Sequence, residues 1–302
     1  MLRRLLAAAA ALALVGVLAA CTSSGSGDDT GTVRVVASTN VYGDIAKTLG
    51  GSHVTVTSII DDPDKDPHEY QADARTQLAI SKAQLVIENG GGYDDFVNTM
   101  LTASKNTKAL VVNAVQLSGQ GTSGTAGDDL NEHVWYDYPT MSKLVDAVAA
   151  SLHTADPKHA LAYSAAAEKL QTRLSALESD EQALSASTAG VGVAITEPVA
   201  DDVLQALRMD IVTPTAFSKA IEDGTDVPAT VLQQTLAQLA DGTARILVYN
   251  VQTTGPQTDA VLAAAKKNGV PAVPVSETLP SGLHYIEWQE GVLATIAEAV
   301  KQ

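Results

Sequence analysis

The chain has one cysteine, two tryptophans and two phenylalanines, and only 19 basic residues against 35 acidic ones. A single cysteine excludes an intramolecular disulfide framework and every cysteine-rich zinc module, so a metal site here has to be built from histidine and carboxylate. The formal charge of −16 argues against nucleic acid as a partner, because neutralising phosphates needs a basic face and no Lys/Arg cluster is present. No apolar run reaches the roughly 18 residues of a membrane-spanning helix. What remains is 302 residues, 45% of them hydrophobic, enough at roughly 100–200 residues per domain for two domains with buried cores.

The N-terminus carries an address. Arg3 and Arg4 precede an apolar run over residues 5–17, the length of a signal-peptide h-region. It ends Leu18-Ala19-Ala20-Cys21, which resembles the bacterial lipobox, so the only thiol is expected to be acylated and to become the mature first residue. Residues 22–32 are rich in Ser, Gly, Asp and Thr without apolar periodicity and read as a tether. The expected division is therefore a signal peptide over 1–20 and a lipidated flexible tether over 21–32. The body that follows is expected to be extracytoplasmic, lipid-anchored to the cell membrane and monomeric.

From Val33 onward short β-branched runs alternate with helical stretches: strands at 33–37, 54–60, 84–88 and from 109, and helices at 41–49, 75–82 and 94–101. This rhythm predicts α/β lobes with mostly parallel sheets. Gly90-Gly91-Gly92 lacks the G-x-G-x-x-G spacing and reads as a turn. Asp156-Pro157 is a good helix start, and apolar residues recur to Leu184 without another Gly or Pro. A helix of about 30 residues, roughly 45 Å, suits a rigid connector between two lobes. Beyond it come strands at 191–196, 245–249 and 272–275 with helices at 200–207, 229–240, 258–267 and 287–300. The expected lobes are 33–155 and 188–302, joined by a connector over 156–187, with a cleft between them. No sequence repeat relates the halves.

In open α/β sheets ligands bind beyond the carboxyl ends of strands. Four residues there can complete the shell of a divalent cation: His68, His133, Glu197 and Glu277, two from each lobe. Each also has an ordinary reading, a solvated histidine or a helix-capping glutamate. His284 lies seven residues beyond Glu277 and is a second candidate for fourth ligand if its loop folds back. His53, His153 and His159 read as solvated, and Asp201 and Asp202 as complements to a helix dipole.

The words around these residues go further. The segments 37–45 (Ala-Ser-Thr-Asn-Val-Tyr-Gly-Asp-Ile), Asp66-Pro67-His68-Glu69-Tyr70, Glu132-His133-Val134-Trp135, Ile195-Thr196-Glu197-Pro198 and Val275-Ser276-Glu277-Thr278-Leu279-Pro280 occur in order over the whole mature chain. Together they resemble the zinc/manganese solute-binding lipoproteins of ABC transporters, cluster A-I. The resemblance implies two β/α lobes on a rigid helix, a buried Mn2+ or Zn2+ as transported ligand, and delivery to the membrane subunits of an ABC permease. It carries the metal ligands onto His68, His133, Glu197 and Glu277. The last position is usually Asp, so the longer Glu277 leaves its denticity open. Zinc-preferring members often have His in third place and a His-rich loop; this chain has neither. A two-His, two-carboxylate shell leans to manganese by softness, while the affinity order favours zinc.

Two other classes compete. A metal-dependent hydrolase would need an open coordination position and a general base, and no H-E-x-x-H or G-x-S-x-G word is present. A siderophore receptor would need Arg or aromatic contacts, which are few.

Overall fold

Strand composition reports where each strand lies. In the computed structural model, which describes residues 31–63, 67–120 and 130–302, β1 (Val33–Thr39), β3 (Leu85–Glu88), β5 (Gly192–Ile195) and β7 (Ile246–Asn250) are nearly continuous runs of buried residues. Such runs belong inside parallel sheets covered on both faces. By contrast β2 (Val54–Ile60) alternates Val with Thr, and β8 (Ala272–Val275) carries Pro274, which cannot donate to a ladder. Both are edge strands. The two sheets run β2-β1-β3-β4 and β6-β5-β7-β8, with β4 at Leu110–Asn113 and a two-residue β6 at Asp210–Ile211, and every pairing is parallel. The halves thus share one strand order although no sequence repeat relates them. In each, the chain turns outward on both sides of its first strand, which opens a crevice at the carboxyl end of β1 and β3 and of β5 and β7.

Helices cover the sheets: α1 (Asn40–Gly50), α2 (Ala74–Lys82), α3 (Phe96–Ser104), α4 (Ala114–Ser118) and α5 (Tyr138–Ala155) in the first half. In the second come α7 (Asp201–Ala206), α8 (Thr215–Glu222), α9 (Ala229–Ala240), α10 (Pro256–Asn268) and α11 (Tyr285–Val300). Between them lies α6 (Ala160–Thr188), entered through a one-turn 3-10 helix at Pro157–His159. Its buried residues Tyr163, Ala167, Leu170, Leu174 and Leu177 step by four and three, a narrow apolar stripe. That stripe packs on α1, α5 and α11.

The helix α5, the edge strand β6 and the helices α4 and α8 have no counterpart in the sequence expectation. The first buries Tyr138, Met141, Leu144, Val145, Val148 and Leu152 on one face, a regular helical period hidden behind an N-terminus without a side-chain cap. A second correction concerns the histidines expected in solvent. The rings of His53 and His159 stack at 3.7 Å, His159 Nδ1 bonds Asp156 Oδ2 at 2.6 Å, and His153 Nε2 bonds the Ala160 carbonyl at 2.7 Å. They fix the corner where α5 meets α6. The tri-glycine turn is as expected: Gly90, Gly91 and Gly92 all have positive φ, a conformation that costs glycine little.

Buried hydrogen bonds tie the halves together. The Asn40 amide donates to the Leu279 carbonyl and accepts from its N–H, Tyr136 Oη donates to the Ser276 carbonyl at 2.9 Å, and Tyr285 Oη donates to the Trp135 carbonyl at 2.7 Å. Residues 33–302 accordingly form one compact unit. Gly192 marks the closest backbone approach, since a Cβ there would stand 1.9 Å from the Thr243 carbonyl oxygen. Because backbone cannot swing aside, Gly192→Ala is expected to cost about 2–3 kcal/mol, read as a lowered urea midpoint. An unchanged midpoint would contradict the close approach.

The export segment, Cys21 and the tether up to residue 30 lie outside the described residues. Among those that are described, no helix is long and apolar enough to cross a membrane.

Candidate metal centre

Three side chains converge above the crevice. The loop after β2 ends in a 3-10 turn, Pro67–Glu69, that presents His68. His133 stands just before the turn Val134–Tyr136 leading into α5, and Glu277 follows β8 by one residue. One ligand atom from each of His68, His133 and Glu277 lies within 4.8 Å of the others. Glu277 Oε2 is 3.4 Å from His68 Nε2 and 3.9 Å from His133 Nε2. The glutamate is 1% exposed, His133 is fully buried, and the His68 side chain keeps 26% of its surface.

Neighbouring groups hold these donors in binding form. Asn131 Oδ1 accepts from both the backbone N–H and Nδ1–H of His133, at 3.2 and 2.8 Å, while its own amide donates to the Pro198 carbonyl. With Nδ1 carrying the proton, Nε2 presents a lone pair to the cavity, buried and without a hydrogen-bond partner. Burial, reinforced by the neighbouring His68, pushes the His133 pKa down to about 3, so the ring is neutral and can ligate. On Glu277, Oε1 accepts from Asn250 Nδ2 at 2.8 Å and Oε2 from Tyr93 Oη at 3.1 Å, and the backbone N–H donates to Gln252 Oε1. Trp135 and Tyr93 stand edge-on to the His133 ring at 5.2 and 6.2 Å and wall it from water. The Glu132 carbonyl accepts from Asn89 Nδ2, which pins the segment carrying His133 to the end of β3.

Of the other sequence candidates, Glu197 is buried at the end of β5 but does not join this group of three. It bears electrostatically on Glu222, whose carboxyl is pushed up to about 8 by burial, with Glu132 and Glu197 adding to the rise. His284 turns elsewhere: Nδ1 bonds Asp44 Oδ1 at 2.6 Å, at the entry to α11. That bond raises the imidazole's pKa. Glu132 and Glu222 were not singled out by the sequence reading, yet with His68 they form a second group of donors within 4.8 Å of one another. A signal existed for Glu222. It ends α8 and is followed by Asp223, and acids at the negative end of a helix dipole are unfavourable for the helix itself.

Known proteins give this geometry a family. Residues 35–299 match the profile described as ZnuA, zinc-uptake complex component A periplasmic, and the chain belongs to that family. Among curated relatives, the manganese-binding lipoprotein MntA of Bacillus subtilis (strain 168) is 29% identical over 150 residues, 48% of each chain. The metal ABC transporter substrate-binding lipoprotein ScbA of Streptococcus cristatus is 29% identical over 182 residues, 56% of this chain and 57% of that one. The matched stretch spans about half the length of these relatives. The fold is shared with the periplasmic zinc-binding protein TroA of Treponema pallidum (TM-score 0.72, 19% identity, 89% of this chain and 99% of that one). It is also shared with the SBP FpvC of Pseudomonas aeruginosa, solved in complex with Mn2+ (TM-score 0.70, 20% identity, 89% and 98%).

Proposed function

We propose that this chain is an extracytoplasmic, non-catalytic receptor that captures Mn2+ or Zn2+ and hands it to the membrane subunits of an ABC permease, held to the membrane by a lipid on Cys21. The observation that carries the reading is the buried lone pair of His133 Nε2, aimed with His68 at the carboxylate of Glu277. His68, His133, Glu197 and Glu277 are the proposed ligands, with Glu277 binding through Oε2, the oxygen that faces both imidazoles. Relatives named as metal-binding lipoproteins of ABC transporters support the same reading. A hydrolase or a siderophore receptor gains no comparable support from these relatives.

The test is thermal. Metal-free protein given Mn2+ or Zn2+ at about 100 Kd should gain about 2.7 kcal/mol, or roughly 5–10 °C in Tm for a domain of this size. His68→Ala should lose that gain. A melting temperature indifferent to both metals would overturn the proposal.

A further inference from the structure

His68 belongs to two groups of donors. The inner one, with His133 and Glu277, is buried; the outer one, with Glu132 and Glu222, is only partly covered. A cleft of about 900 Å3 opens onto His68 and Glu222 of the outer group and is lined also by Asp61, Asp62 and Asp223. Glu222 projects into it from the end of α8 with its side chain 15% exposed, and its Oε1 has no hydrogen-bond partner. The nearest imidazole nitrogen, His133 Nδ1 at 3.9 Å, already donates to Asn131. Lys219, the basic side chain closest in sequence, is paired with Asp223 at 3.2 Å, and its charge also bears on Glu132 and Glu222. One imidazole and two carboxylates within 4.8 Å need only small side-chain rotations to reach the roughly 3–3.6 Å donor spacing set by bonds of about 2.0–2.2 Å to one ion.

We propose that His68, Glu132 and Glu222 form a second, outer divalent-cation site that receives the ion from the cleft and passes it inward to His133 and Glu277, with His68 common to both. The proposal rests on the receptor reading above and adds a route to it. A hydrated cation entering a buried site must exchange waters for protein donors, and a half-covered way station lets this happen in stages. Three donors replace water first, while the ion still faces the cleft. The buried pair then replaces the glutamates as His68 stays bound. The acidic lining of the cleft concentrates cations at its mouth.

Mn2+ itself is the probe, counted by electron paramagnetic resonance on the full chain. In the double variant His133→Ala/Glu277→Ala, one equivalent of Mn2+ should still bind, at least about 100-fold more weakly than to the unmodified chain. Adding Glu222→Gln should weaken it at least tenfold further. A double variant that folds, judged by its circular dichroism, but binds no Mn2+, or binds it regardless of Glu222, overturns the outer site. Should the double variant not fold, stopped-flow association of Mn2+ with the single variant Glu222→Gln decides. The on-rate should fall at least fivefold, and an unchanged on-rate overturns the proposal. Failure of the unmodified chain to bind Mn2+ or Zn2+ at all is a different result, and sinks the receptor reading instead.

Discussion

Glu277→Ala should weaken Mn2+ or Zn2+ binding by about 10²- to 5 × 10³-fold, measured by competition against a chelator of known affinity. The carboxylate is 1% exposed and supplies the negative charge facing the buried imidazole of His133 and the partly exposed one of His68. Removing one partner from such a charged cluster leaves the bound cation under-neutralised in a medium that cannot solvate it, a loss of roughly 3–5 kcal/mol. The surroundings make a smaller change informative as well. Asn250 holds Oε1, so Asn250→Ala leaves the donor in place but frees its orientation, and a loss of about 10- to 100-fold is expected. If Glu277→Ala binds as tightly as the unmodified chain, the proposed ligand set is wrong at its centre.

Away from the metal, the metal-free protein should become less stable as pH rises from about 5 to 8.5, and Glu181→Gln should flatten that slope. Glu181 on α6 faces Asp137 at the start of α5 and Asp202 in the first turn of α7, with Glu178 on its own helix. Burial, reinforced by these acids, pushes its carboxyl up to about 8. Asp201 rises to about 7 and Asp202 to about 6 for the same reasons. A carboxyl that holds its proton more tightly folded than unfolded favours the fold at low pH. That advantage is complete below the unfolded value of about 4 and is lost as pH climbs toward 8. Glu181 keeps partial solvent access, so screening reduces its share to about 1–2 kcal/mol. Glu181→Gln should therefore stabilise the protein at pH 8.5, by a few degrees in Tm, and do little at pH 4.5. An equal effect at both values would show that the carboxyl is not carrying the charge repulsion.

This acidic joint shows what a sequence can and cannot convey. Asp201 and Asp202 read as dipole partners because they open a helix, which they do. The approach of Asp202 to Glu181 and Asp137 depends on two helices distant in sequence. Strands were legible because hydrophobic period and strand position are the same physical fact, so the edge strand β2 is visible as alternating Val and Thr. Of the outer donors, Glu132 adjoins His133 in sequence with no pattern of its own to mark it, and Glu222 sits in a short helix whose eight residues give little period to read. His284, close to Glu277 in sequence, is led away by Asp44, a partner 240 residues distant. Sequence proximity is a poor guide to spatial neighbours there, whereas the order of words along the chain points to the family to which the chain belongs.

The bonds of Asn40 to Leu279, Tyr136 to Ser276 and Tyr285 to Trp135 have a mechanical consequence. They lie at the joint between the halves, so swinging the halves apart as rigid bodies would strip several buried polar groups of partners, at about 1–3 kcal/mol each. On the proposed receptor reading, an ion passes more cheaply through side-chain rotation at the rim than through any wide gape of the jaws. Prising at the turn bearing His68 and the end of α8 bearing Glu222 breaks fewer buried bonds than pulling the two halves open.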